Sequence, residues 1–93
     1  MSIQTLIVPK GAVLSINSEL SIPIGTQIDI LNQSILYNCY LKYSVTEPPA
    51  STVDMRMLTQ IDLPRPCVLV ETGTEEVWVY SPQGSVELSV QVI

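Results

Sequence analysis

Hydrophobic and polar residues alternate one by one in the C-terminal part of the chain. From Val86 to Val92 every second residue is Val or Leu and the others are Glu, Ser or Gln, so an extended strand would carry all its apolar side chains on one face. In Glu76–Tyr80 the two valines fall on one face of a strand and Trp78 and Tyr80 on the other, and Pro82 and Gly84 between the two runs suit a turn in which the glycine adopts a positive φ. We therefore predict a C-terminal β-hairpin.

Similar short alternations recur through the rest of the chain, separated by Pro, Gly, Asn and Ser. Ile28 and Ile30 stand between polar residues, and residues 35–43 predict the strongest central strand, with alternate residues on one face: Ile35, Tyr37, Cys39, Leu41 and Tyr43. Many short strands with regular breaks indicate a small antiparallel β-sandwich or barrel. The predicted fold class is all-β, without a substantial helix.

The 93 residues suffice for one domain, so we expect a single β-sandwich domain over 1–93. Residues 1–10 are interpreted as an N-terminal strand or arm. Residues 44–59 are predicted to form a long loop, because the adjacent Pro48 and Pro49 deny the backbone a donor and helical freedom. Short strands are expected near 60–63 and 68–71.

Charge is sparse and acidic. Charged residues make up 14% of the chain, against roughly 25% in an ordinary globular protein. Either a polar, uncharged surface or a surface covered by neighbouring subunits explains this, and the second explanation favours a homo-oligomer or a lattice-bound subunit. The net charge of −5 leaves four scattered cations, too few for a nucleic-acid contact. No apolar run reaches membrane-spanning length, so we expect a soluble protein made in the cytoplasm and no membrane partner.

The usual groups for catalysis are missing from the sequence. The chain has no His, and no serine-nucleophile motif or glycine-rich phosphate loop occurs. Cys39 and Cys67 are expected to be buried free thiols, and two soft ligands are too few for a zinc site. We therefore expect no enzymatic activity, no catalytic residue, no metal and no cofactor.

Two groups of residues are candidates for contacts with partners. The first is apolar and lies in the N-terminal strand and the long loop: Ile3, Leu6, Val53, Met55, Met57 and Leu58. Flexible apolar side chains on a loop fill a partner's pocket or cover an open edge of the sandwich. The second group is Trp78 and Tyr80, which share one face of their strand and form core packing, a subunit interface or a surface for stacking sugars.

Residues 28–93 contain an ordered series of short motifs. Asp29-Ile-Leu-Asn-Gln-Ser is followed by Tyr43-Ser-Val, a Pro-Ser/Thr loop over 48–52, Trp78-Val-Tyr-Ser, and a Val-x-Leu-x-Val-x-Val ending. In this order the chain resembles small all-β accessory proteins of tailed bacteriophage particles, of the capsid decoration or cement type. The chain departs from that pattern at residues 53–57 and 64–66, and residues 1–27 do not share it.

The resemblance implies a non-enzymatic structural component of the virion that stabilises the head shell by binding the major capsid protein or another virion structural protein. It implies a location on the capsid surface and carries over no functional residue. The alternative is a carbohydrate- or receptor-binding β-sandwich of a phage tail fibre or tail tip, with Trp78 and Tyr80 as the stacking surface.

Overall fold

The computed structural model describes residues 3–63, 67–71 and 74–93, with only the backbone for 67–71. The prolines and the glycine at 64–66 and 72–73 predict turns, and these residues lie outside this part. The described chain forms eight strands and one short helix, in the order β1 (Ile3–Val8), β2 (Val13–Ser15), α1 (Ile16–Leu20), β3 (Gln27–Asn32), β4 (Cys39–Ser44), β5 (Arg56–Leu58), β6 (Cys67–Glu71), β7 (Glu76–Tyr80) and β8 (Val86–Val92).

The strands form two four-stranded antiparallel sheets. The first sheet has the order β1-β8-β3-β6 and the second the order β2-β7-β4-β5. Each strand of the first half of the chain pairs with its counterpart counted from the other end: β1 with β8, β2 with β7, β3 with β6 and β4 with β5. This is the topology of a long hairpin rolled into a double-sheet jelly roll. The all-β prediction, with a small antiparallel sandwich, is confirmed.

The core lies between the two sheets and follows the alternation of the sequence. Ile28, Ile30 and Leu88 of the first sheet and Leu41 and Val79 of the second are each at most 2% exposed. Their polar neighbours along each strand point outward, because successive side chains of a strand alternate between faces. The buried positions of these strands therefore follow the two-residue periodicity of the sequence.

The short helix α1 is fixed to the second sheet by buried polar groups. The Ser15 hydroxyl accepts a hydrogen bond from the Ser18 amide at the start of the helix. Asn17 is 5% exposed; its side-chain amide donates to the carbonyl of Ile22, and its Oδ1 accepts from the Val77 amide of β7 at 2.9 Å. With five residues, α1 agrees with the expectation of no substantial helix.

The predicted C-terminal hairpin is wrong. β7 and β8 belong to different sheets, and β8 pairs with β1 and β3 instead of with its predecessor. Gly84 at the connection does not have a positive φ. A Cβ built there would lie 2.6 Å from Cζ of Tyr37, so the close approach of this ring requires the glycine. Alternation shows which face of a strand is buried, but not which strand lies beside it.

Three local predictions also changed. The central strand begins at Cys39 instead of residue 35, since the Ser34 hydroxyl accepts hydrogen bonds from the amides of Leu36 and Tyr37 and holds these residues in a turn. The predicted loop 44–59 contains β5, which pairs with β4. Residues 60–63 form turns and no strand. The N-terminal segment is a strand, as expected, and lies at an edge of the first sheet.

Candidate interaction surface

The outer face of the second sheet carries an uncharged row of side chains. In the register of the sheet, Val13 lies opposite Tyr80, Tyr80 opposite Tyr40, and Tyr40 opposite Met57. These four residues, here called the aromatic row, cross all four strands of the sheet. Val13 and the two tyrosines are half-buried, and Met57 is 54% exposed. A continuous apolar band on a solvent-facing sheet is a candidate for contact with another molecule.

Trp78 lies in the next row, between Ser15 of β2 and Lys42 of β4. Its side chain is half-buried, and its Nε1 donates a hydrogen bond to the carbonyl of Ser44 at 3.0 Å. The indole is therefore held in one orientation beside the aromatic row. Large rings fixed in this way offer contact area at low cost in conformational entropy.

A pocket of about 360 Å³ opens beside Trp78. Three carboxylates line it together with the indole: Glu19 from α1, Glu47 from the loop after β4, and Glu76 from β7. The Ser15 hydroxyl donates to Oε1 of Glu76 at 2.7 Å, which orients that carboxylate. Carboxylates beside an aromatic ring accept hydrogen bonds from hydroxyl or ammonium groups while the ring contacts an apolar face. We call this the acidic pocket.

The structure narrows the interpretation of Trp78 and Tyr80. Both point outward, whereas Val77 and Val79, which alternate with them along β7, are fully buried. Tyr40 is the aromatic residue opposite Tyr80. The prediction that Trp78 and Tyr80 pack in the core is therefore wrong. Their role in a subunit interface or as a stacking surface stays a prediction.

The predicted apolar contact residues divide into two sets. Ile3, Val53 and Met57 are 62%, 70% and 54% exposed, and Met55 is half-buried. Leu6 and Leu58 are at most 7% exposed and belong to the core, so their assignment as contact residues is corrected. The reason is again alternation, because each follows an outward-pointing position of its own strand.

Sequence reasoning missed most of the surface that surrounds Trp78. Tyr40 and Lys42 alternate with Cys39, Leu41 and Tyr43, so the sequence places them on the opposite face of the predicted central strand, and this was the only available signal. Glu19, Glu47 and Glu76 come from distant parts of the chain and meet only because β2, β7 and β4 are neighbours in the sheet. No periodicity within one strand brings such residues together.

Cys39 is buried in the core on the inner face of β4. Burial raises the pKa of its thiol from 9.0 to about 12, against the opposing effect of hydrogen bonds with the backbone of Tyr80 and Tyr40. A thiol with so high a pKa stays protonated at neutral pH and is a poor nucleophile. The side chain of Cys67 lies outside the described part, so the expectation that it is free stays a prediction.

Comparison with known proteins gave no match: no model of a protein family, no curated protein and no solved structure corresponds to this chain. In the described residues, no three His, Cys, Asp or Glu side chains are arranged to hold a metal ion. No helix in the same part is both long and apolar enough to span a bilayer. The fold thus defines the protein as a small jelly-roll sandwich with an aromatic row and an acidic pocket on one outer face.

Proposed function

We propose that this chain is a non-enzymatic structural component of a phage particle, a capsid decoration or cement protein that stabilises the head shell by binding the major capsid protein. The sequence resemblance over residues 28–93 supports this proposal. The jelly roll supports it by fold analogy, since viral capsid proteins use this architecture, although a fold alone does not define a function. The aromatic row is the single observation that carries the proposal.

The composition of the aromatic row suits burial against a partner protein. Val13, Tyr80, Tyr40 and Met57 place no charge across the sheet, so a partner covers them without desolvating an ion. Trp78 beside them is of the type that contributes most to protein interfaces. On a symmetric shell the same contact recurs at every equivalent position, and a modest contact per copy still stabilises the particle.

The test uses capsids that lack the protein and compares two matched variants. Met57→Asp puts a charge into the aromatic row, and Ile24→Asp puts one at a site of similar exposure, 52% against 54%, outside the second sheet. We expect Met57→Asp to lower the affinity for capsids by about tenfold or more and Ile24→Asp to leave it unchanged. Circular dichroism of both free variants checks the fold. Equal occupancy of Met57→Asp and parent on capsids would contradict the proposal.

The acidic pocket supports the second candidate function, a carbohydrate- or receptor-binding sandwich of a tail fibre or tail tip. Jelly rolls also occur as lectin domains. Sugar hydroxyls donate to carboxylates, and their apolar ring faces stack on an indole such as Trp78. Titration with a panel of glycans, read by Trp78 fluorescence, tests this function. A saturable change that is lost in Glu76→Gln supports it, whereas the absence of any response across the panel argues against it.

A further inference from the structure

The edge of the first sheet carries a strand whose outward groups are open. β1 has β8 on one side, and none of the described residues pairs with its other side. Natural edge strands are protected by prolines, bulges or charges. The sequence of β1, Ile-Gln-Thr-Leu-Ile-Val, contains none of the charged or proline residues that block pairing.

The hydrogen-bond phase of the sheet shows which residues of β1 face the open edge. The Ile93 amide donates to the carbonyl of Gln27, and the Gln33 amide donates to the carbonyl of Glu87, so odd-numbered residues of β8 bond to β3. Even-numbered residues of β8 then bond to β1, because successive residues of an antiparallel strand bond to opposite sides. The register pairs them with residues 4, 6 and 8 of β1.

The open N–H and C=O groups of β1 therefore belong to Ile3, Thr5 and Ile7. Their side chains point to the outer face, and Ile3 and Ile7 are 62% and 54% exposed. Backbone groups and apolar side chains are thus available at the same three positions. This combination suits the addition of a strand from another chain.

We propose that β1 pairs antiparallel with β1 of a second copy of this chain, with Thr5 opposite Thr5. In this register Ile3 of each copy faces Ile7 of the other. All three pairs are of the hydrogen-bonded kind, and each exchanges two backbone bonds. Shifting the register by two residues toward the C-terminus of β1 would place Ile3 opposite Pro9, which has no N–H. The sequence of β1 is therefore self-complementary about Thr5.

The side chains at the contact do not oppose a second copy as the partner. Two molecules of net charge −5 repel each other, but β1 brings no ionised side chain to the contact. On the outer face, the central row of the dimer contains Ser89 and Thr5 of one copy followed by Thr5 and Ser89 of the other. In each of the two flanking rows, Glu87 and Ile7 of one copy are followed by Ile3 and Gln91 of the other, so no two carboxylates face each other. One strand pair covers less area than a standard interface of about 1,600 Å², so we expect a weak dimer with a Kd in the micromolar to millimolar range.

Sedimentation velocity over a range of concentrations tests the dimer. Thr5→Pro removes the central outward N–H and leaves the bonds of residues 4, 6 and 8 to β8 in place, while Thr5→Val keeps that N–H and serves as the control. We expect the parent and Thr5→Val to dimerise and Thr5→Pro to remain monomeric with a native circular dichroism spectrum. Monomeric parent protein at about 1 mM would overturn the proposal.

Engineered cysteines test the register. The Cα atoms of a hydrogen-bonded antiparallel pair lie about 5.5 Å apart, within the range for a disulfide. Under mild oxidation Thr5→Cys should form a linked dimer by itself. Ile3→Cys and Ile7→Cys should link only when they are mixed, and the parent controls for the native thiols. Linking of Ile3→Cys to itself would contradict this register. The dimer does not depend on capsid binding, so each proposal can fail alone.

Discussion

Replacing Asn32 with alanine should destabilise the fold far more than replacing a neighbouring asparagine. Asn32 ends β3, is fully buried and joins three segments. Its amide nitrogen donates to the carbonyls of Tyr37 and Leu58, both at 3.1 Å, and its Oδ1 accepts from the Ser34 amide at 2.9 Å. This one side chain ties the first sheet to the turn before β4 and to β5.

The magnitude follows from the groups left without a partner. A buried polar group that loses its hydrogen bond costs about 1–3 kcal/mol. Of the three residues that bond to Asn32, Leu58 is the most deeply buried, so its carbonyl would be left without a partner. Ser34 and Tyr37 are only half-buried, so water replaces the lost hydrogen bonds more easily there. We expect a total loss of about 2–4 kcal/mol, a large share of the stability of about 5–15 kcal/mol that such domains have.

Asn38→Ala is the matched control. Asn38 is half-buried, and its Oδ1 accepts one hydrogen bond, from the Gln60 amide at 3.0 Å. Its removal should cost about 0.5–1.5 kcal/mol. Urea unfolding followed by circular dichroism and Trp78 fluorescence gives both values, and the melting temperature of Asn32→Ala should fall by about 10–30 °C. If Asn32→Ala loses no more stability than Asn38→Ala, Asn32 does not join the three segments in the way described.

Asn32→Asp adds a test by pH. The new carboxyl has nearly the shape of the amide, but when ionised it faces two carbonyl oxygens. It should therefore keep its proton in the folded state, with a pKa above its unfolded value of about 4. A raised folded pKa gives stability that is present below the unfolded pKa and is lost as the pH rises through the folded pKa. We expect the stability of Asn32→Asp to increase on acidification relative to that of the parent. A difference in stability between the two proteins that does not change with pH would contradict this expectation.

Three further predictions concern the connections and the core. Gly84→Ala should lower the stability of the fold several times more than Gly11→Ala, because Tyr37 occupies the space of the new Cβ at residue 84. At Gly11, with φ +76°, nothing lies within 4 Å of the new Cβ, and only about 1–2 kcal/mol of backbone strain is added. Comparable urea midpoints for the two variants would show that the position of the Tyr37 ring does not depend on the glycine. In a Cys67→Ser variant, the remaining Cys39 should resist thiol reagents at pH 8 until the chain unfolds, and rapid labelling of the folded protein would show that the thiol is exposed. The raised pKa of Cys39 also stabilises the fold below pH 9, and this stabilisation is lost as the pH rises from 9 toward 12. The parent should therefore lose stability more steeply in that interval than Cys39→Ala, by on the order of 1 kcal/mol per pH unit; parallel alkaline profiles would contradict this.

The sequence predicted the class of fold because alternation is a property of each strand by itself. Ile28 and Ile30, or Leu88 and Val90, fall on the buried face wherever their strand is placed. The absence of long helical patterns left an antiparallel sandwich as the way to bury these faces. For the same reason the sequence predicted that Trp78 and Tyr80 share one face of their strand, opposite to Val77 and Val79.

Pairing and the candidate surface were decided by the tertiary structure. β8 follows β7 after a turn, yet it pairs with β1 and β3, which are distant in sequence. It does so because rolling the whole chain into two sheets buries the apolar faces of both sheets at once. Met57 lies opposite Tyr40 only in that arrangement, and Leu58 beside it becomes core. The amino-acid sequence by itself determined which face of each strand avoids water, since this depends on local alternation. Which strands are neighbours, and hence which residues form a surface, depended on contacts between distant segments.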